Sequence, residues 1–185
     1  MTDKMKLTKT ERLILANQYR ILEMLDPNEA EGYRNHRMAL EDGYALQYSE
    51  AFQHILDELP ESECTFVVDV LSMHRALHFS YQALEDKAGI DETSIKFDGF
   101  DGNNESHYMS YCRYFCIRLG RFAELADHGH DGYNSHMPTL DIYRRMLEAW
   151  EAMGKPHPMT KDQISDIQMA RVHPEHKPGE DDIVQ

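Results

Sequence analysis

TKTERLILANQYRILEMLDP, residues 8 to 27, decides the fold class. Thr8 followed by Glu11 is a capping-box pattern, in which the threonine serves an orphan amide of a first helical turn and the glutamate answers it. From there Leu13, Leu15, Ala16, Tyr19, Leu22 and Leu25, joined by Ile14 and Ile21, return at three- and four-residue steps. That spacing is the period of a helix with one broad apolar face, not the alternation of a strand. Asp26-Pro27 closes the segment, because proline cannot continue a helix but fits the first turn of the next.

The same punctuation recurs outward along the chain. A second helix is expected from Pro27 to about Asp42, stopping at Gly43, a natural left-handed terminator. A less regular segment follows with Tyr44, Leu46, Tyr48, Phe52, Ile55, Leu56 and Leu59. Pro60 restarts the chain, and residues 62 to about 87 read as the longest helix, with Phe66, Val67, Val70, Leu71, Leu77, Tyr81 and Leu84 inward. KAGIDETSIKFDGFDGNN, residues 87 to 104, is rich in turn formers and reads as a connection with at most one extended piece at Ile95 to Phe97. Asp101 or Asn103 is placed to cap the next helix, whose stripe is Tyr108, Tyr111, Cys112, Phe115, Leu119 and Phe122. Thr139 is expected to cap a helix carrying Ile142, Tyr143, Met146, Leu147, Trp150 and Met153, ended by Gly154 and Pro156. Thr160 with Gln163 repeats the capping box for a last short helix. The expectation is an all-α protein, a single multihelical domain of about six to seven helices over residues 1–170. RVHPEHKPGEDDIVQ, residues 171–185, has little to bury and is expected to be a flexible tail.

Composition narrows the function classes. The 185 residues are 41% hydrophobic and 28% charged, as in an ordinary globular protein. The formal net charge is −14, with Lys4, Lys6, Lys9 and Arg12 as the only basic cluster. Such a chain repels phosphate backbones and anionic membranes, so neither nucleic acid nor a membrane is expected as partner. No stretch approaches the roughly 20 apolar residues of a membrane span. The first residues lack the apolar core of a secretory signal, which makes the cytoplasm the expected location. Cys64, Cys112 and Cys116 show no C-x-x-C spacing and read as small buried thiols, the last two on one helix face.

ERLILANQYRILEMLD (11–26), DGYALQYSEAF (42–52) and GFDGNNE (99–105), together with the length and the order of helices, resemble the YfbU family of bacterial proteins. The likeness covers about residues 7 to 170. It implies a helical fold and a bacterial cytoplasmic protein, and it carries no functional residues over to this chain.

Few stretches resemble a chemical site. DHGHDGYNSHMP, residues 127–138, is the densest in ligand-type side chains. It approaches the H-x-H-x-D-H pattern of binuclear hydrolases, but Asp131 comes one residue early, position 132 is glycine, and Tyr133 stands where a histidine is required. His128, His130 and Asp131 could still hold one zinc with an open position. The plainer reading is a polar connection in which these residues make turns, and no metal is assigned. His74 and His78 lie four apart on the longest helix, a zinc-ligand spacing, but Arg75 replaces the glutamate that would act as base in H-E-x-x-H. A core histidine is the expected role. From Asp101 the calcium-loop pattern fails, since its glycine and glutamate positions hold Ser106 and Cys112. Phosphate-loop, dinucleotide and nucleophile-elbow motifs do not occur. Catalytic residues stay unassigned and no cofactor is expected.

What is left is the content of 10 Tyr and 11 Met in the chain, a surplus over what the core stripes need, much of it on helices. Tyr44 with Tyr48, or Tyr108 with Tyr111 and Tyr114, are candidates for a dimer face or a ligand groove. The function expected is therefore a non-enzymatic protein-interaction or regulatory module acting as a homodimer. The alternative is a metal-dependent hydrolase or small-molecule-binding enzyme that uses the His-rich loop 127–136, with Asp98 and Asp101 nearby.

Overall fold

In the computed structural model, residues 5–126 and 132–173 are described. Among them are eight α-helices and no strand, so the chain is all-α. Six helices exceed one turn and two are single turns. The chain divides into two compact units, residues 1–58 and 59–185.

The N-terminal unit is a helical hairpin of α1 (Lys9–Leu25) and α2 (Ala30–Asp42), followed by a 3₁₀ turn (Ala45–Gln47) and a single turn α3 (Tyr48–Ala51). The capping box at Thr8 and Glu11 forms in both directions, with the Thr8 amide donating to Glu11 Oε2 at 2.7 Å. That hydrogen bond, followed by the side-chain bond to Thr8, holds the Glu11 carboxyl below the usual range. α2 begins three residues later than proline at 27 led us to expect, because the backbone first turns through Asp26, whose carboxylate accepts the Asn28 amide. Gly43 ends α2 at φ 80°, and Arg12 Nη1 donates to the Leu40 carbonyl beside it, at 3.1 Å. Ion pairs cross the hairpin from Arg20 to Glu41 (2.9 Å) and from Arg37 and Arg34 to Glu23 (3.1 and 2.7 Å).

The apolar face of α1 is wider than its partner helix covers. Only Ala16 is buried, with Leu15 and Tyr19 packed at the edge of a small core formed with Leu40 and Tyr48. Leu13, Ile14, Ile21, Leu22, Met24 and Leu25 are exposed. The broad face read from sequence is therefore split into a narrow inner edge and a large outer stripe.

The C-terminal unit is built around α4 (Glu61–Ala83), the longest helix, which packs against α6 (Ser106–Arg113), α7 (Leu140–Ala152) and α8 (Lys161–Arg171). Glu61 and Glu63 in its first turn oppose the helix dipole favourably. Val67, Val70, Leu71, Met73 and Leu77 are fully buried, joined by Tyr143, Met146, Ile164 and Ile167. Each such aliphatic side chain contributes roughly 1.5–3 kcal/mol of burial. The single turn α5 (Glu92–Ile95), capped by Asp91, occupies part of the connection where an extended piece was expected at Ile95 to Phe97. The extended contact instead falls at Phe100, whose amide and carbonyl bond Tyr133 O (2.9 Å) and Ser135 N (3.1 Å) in an isolated parallel bridge. α6 is shorter than its apolar stripe: after Arg113 the backbone widens into a π turn (Tyr114–Arg118). Phe122, the last residue of the expected stripe, lies outside the helix at φ 53°. The second capping box, Thr160 with Gln163, opens α8 as expected.

Candidate functional site

The connection between α5 and α6 and the approach to α7 form one polar junction. Gly99, at φ 89°, lies so close to Tyr133 that a Cβ would overlap that residue's carbonyl, so only glycine lets the two segments meet. The Gly99 carbonyl accepts from the Tyr143 hydroxyl (2.9 Å) and lies 3.1 Å from the Thr139 hydroxyl, whose one proton it shares with Glu105. Glu105 is the centre of the junction. Its buried carboxylate accepts the amides of Asp101 (3.0 Å), Thr139 (2.7 Å) and Leu140 (3.0 Å) and the Thr139 hydroxyl (2.9 Å). Thr139 stands at the cap position of α7 as expected, but Glu105 performs the capping. Asp101 does not cap α6. Its carboxylate accepts the amide of Asn103 at 3.0 Å and the side chain of Asn104, and the first of these holds its pKa below the usual range. Both acidic groups thus spend their described hydrogen bonds within the junction, on backbone amides and neighbouring side chains.

Beside it opens a cavity of about 840 Å³ whose wall includes His78, Lys87, Lys96, Asp98, Glu124 and Arg171. Several of its charges are paired. Arg171 pairs with Asp98 and Lys96 approaches Glu92 at 3.8 Å within the wall, and Arg75, outside it, reaches Glu124. Lys87 Nζ stands 4.8 Å from the centre of the Tyr81 ring. His78 Nε2 faces the Gln82 side-chain amide at 2.9 Å, so its bonded neighbour is neither a nucleophile nor a carboxylate. The wall can hold a small polar molecule, and no oriented catalytic pair is seen among its described residues.

His74 and His78 share α4 but not an environment. His74 is fully buried, with Nδ1 3.0 Å from the Ile95 carbonyl and its ring 5.3 Å from Phe97 and from Tyr143. A carbonyl only accepts, so Nδ1 carries the proton, and Nε2 has no partner among the described residues. Burial pulls its pKa down to about 4, so the ring is neutral near pH 7. Among the described residues no group of three His, Cys, Asp or Glu is gathered for a metal ion. His128, His130 and Asp131 lie outside the described residues, as do positions 174–185 of the tail.

The YfbU domain matches residues 5–170. The chain belongs to the YfbU family.

Within this YfbU domain the aromatic candidates separate by burial. Tyr48 closes the N-terminal core, and Tyr108 and Tyr111 pack on the C-terminal one, where Tyr108 stacks on Phe100 at 5.8 Å. Tyr44 and Tyr114 are exposed. No helix among the described residues is long and apolar enough to cross a membrane. Glu105 escaped the sequence reading because the α7 amides that it caps lie 34 and 35 positions away, beyond any local capping pattern. The outer stripe of α1 was visible as apolar spacing, but nothing local marks which part of a wide face stays uncovered.

Proposed function

We propose that this YfbU domain is a non-enzymatic protein-binding module that pairs with a second copy of itself through the outer face of α1. One observation carries the reading: Leu13, Ile14, Ile21, Met24 and Leu25 are exposed on that helix, Leu13 at 62% and Leu25 at 74%. At roughly 100° per residue these five side chains fall within about a third of the helix circumference. A contiguous apolar strip of this kind marks an association surface more often than a solvated face.

Energetics point the same way. The N-terminal unit buries few apolar side chains, and the ion pairs across its hairpin are at least partly exposed, so water and salt weaken them. A unit of this size is marginal without further burial. A second copy suits the stripe because Ile14 and Ile21 are seven apart, the spacing of a helix–helix seam, with polar Asn17 between them to fix register. Two-fold pairs are also the commonest soluble assembly. The test is a charge on the seam: Ile14→Glu with Ile21→Glu should halve the solution mass while leaving helicity unchanged. An unchanged mass would remove α1 from the interface.

A second reading rests on the cavity beside His78 and Arg171, which is of the size that encloses a small metabolite. It predicts a native-state ligand that raises the melting temperature with concentration, as mass action requires. His78→Ala or Arg171→Ala should then abolish the shift.

A further inference from the structure

RYFCIRLGR, residues 113–121, holds three arginines and no acid, in a chain of 33 Asp and Glu against 19 Lys and Arg. Spaced along the sequence, these arginines do not read as a cluster; the backbone gathers them. In an unbroken α-helix, at about 100° per residue, Arg113 and Arg118 would point roughly 140° apart. The π turn closes instead on the fifth residue, the Leu119 amide donating to the Tyr114 carbonyl at 3.1 Å. That wider turn carries Arg118 round toward the side of Arg113. Cys112 and Cys116 are buried, while Arg113, Arg118 and Arg121 are exposed. Between the arginines, Tyr114 keeps 52% of its surface, Ile117 56% and Leu119 48%. The first acid after them, Glu124, is taken by Arg75, and no ion pair joins these three arginines to a carboxylate among the described residues.

A face that is cationic and apolar at once fits an acidic segment that also carries aliphatic side chains. The chain has one in EDDIV, residues 180–184, which lie outside the described residues. We propose that the exposed face of residues 113–121 is a docking surface for Glu180–Val184 of the same chain. Glu180, Asp181 and Asp182 meet the arginines, whose planar forks suit carboxylates. Ile183 and Val184 cover Tyr114, Ile117 and Leu119. The length of chain allows it. α8 ends at Arg171, which lines the same cavity as Leu125, four residues past Arg121. The dozen residues beyond His173 span about 40 Å at full extension. Exposed ion pairs are weak one at a time. Covalent connection makes the encounter intramolecular, at an effective concentration on the order of millimolar, so a contact too weak to hold two separate molecules suffices.

The test places a nitroxide at the end of the full chain. With Cys64→Ser and Gln185→Cys, the two remaining native thiols, Cys112 and Cys116, are buried, so the label goes to position 185. Backbone amide signals are compared with the nitroxide oxidised and reduced. Residues 113–121 should lose more signal than any other described segment, and the loss should fade in about 0.5 M sodium chloride, where exposed charges are screened. Arg118→Glu with Arg121→Glu should remove the loss at unchanged helicity, since both side chains are exposed. Adding Glu180→Lys and Asp181→Lys to that variant should bring it back. A mixture of nitroxide-bearing chains with isotope-enriched chains that lack the nitroxide should show no loss. Undisturbed signals at 113–121, a loss that survives the arginine reversal, a failed rescue, or a loss in the mixed sample would each overturn the proposal.

Discussion

Glu105 caps α7 from 34 residues away, its Oε1 accepting the Thr139 amide at 2.7 Å. The same oxygen takes the Leu140 amide, and Oε2 takes the Thr139 hydroxyl and the Asp101 amide. One buried carboxylate therefore ties the start of α7 to the loop before α6. Two unpaired amides at a buried helix start would cost as much as two lost hydrogen bonds to a charged group, and here one side chain prevents both.

Glu105→Ala should accordingly lower the unfolding free energy by about 2–4 kcal/mol, because it leaves buried amide donors without their charged acceptor. Urea denaturation followed by circular dichroism measures it. Glu105→Gln keeps one acceptor oxygen and should cost less. Equal stability in all three proteins would mean that the carboxylate contributes nothing to the junction.

Gly99→Ala should be among the most damaging single-methyl additions in the C-terminal unit. The new Cβ would overlap the Tyr133 carbonyl, and φ 89° is strained for any other residue. A loss above about 3 kcal/mol is expected, combining backbone strain with overpacking. Gly89→Ala is the control, since it has a similar φ of 80° with nothing near its Cβ, and should cost only about 1–2 kcal/mol. Thermal melts of the two variants give the comparison directly.

His74 makes stability depend on pH in a defined window. Its folded pKa of about 4 lies below the unfolded value of 6.5, so the unfolded chain binds the proton first. Stability should be fully present above pH 6.5 and fall as the pH drops toward 4. The shift corresponds to about 3 kcal/mol if desolvation acts in full. In His74→Phe this part of the slope should vanish. A variant that keeps the wild-type slope between those limits would place the titrating group elsewhere.

The elements were legible where their signals are local. Thr8 with Glu11 and Thr160 with Gln163 read as capping boxes because each partner is three residues away, and both form. Gly43 read as a terminator for the same reason. The apolar stripe ending at Phe122 overran its helix because periodicity does not register the widening to a π turn or the reversal at Gly120. At the candidate site, His74 was legible as a core histidine from its place near an apolar stripe. The roles of Glu105 and Gly99 were not, since both arise from contacts with residues 133–143, which no spacing rule connects to them. Pro60 was visible as a restart of the chain, but the boundary between compact units at residue 58 depends on which contacts form, not on composition.

Salt separates an apolar interface from an ionic one. Two chains of net charge −14 repel, and salt screens that repulsion while leaving apolar burial intact. Association through α1 should therefore tighten as sodium chloride is raised from about 0.05 to 0.5 M, a range over which the Debye length falls severalfold. Weakening with salt would point to an ionic contact instead.

Sedimentation equilibrium of the unmodified chain tests the central claim most directly. At roughly 50 µM, well above a micromolar dissociation constant, the account predicts twice the 21.6 kDa chain mass, falling toward one chain on dilution. A strict 21.6 kDa monomer throughout that range would contradict it.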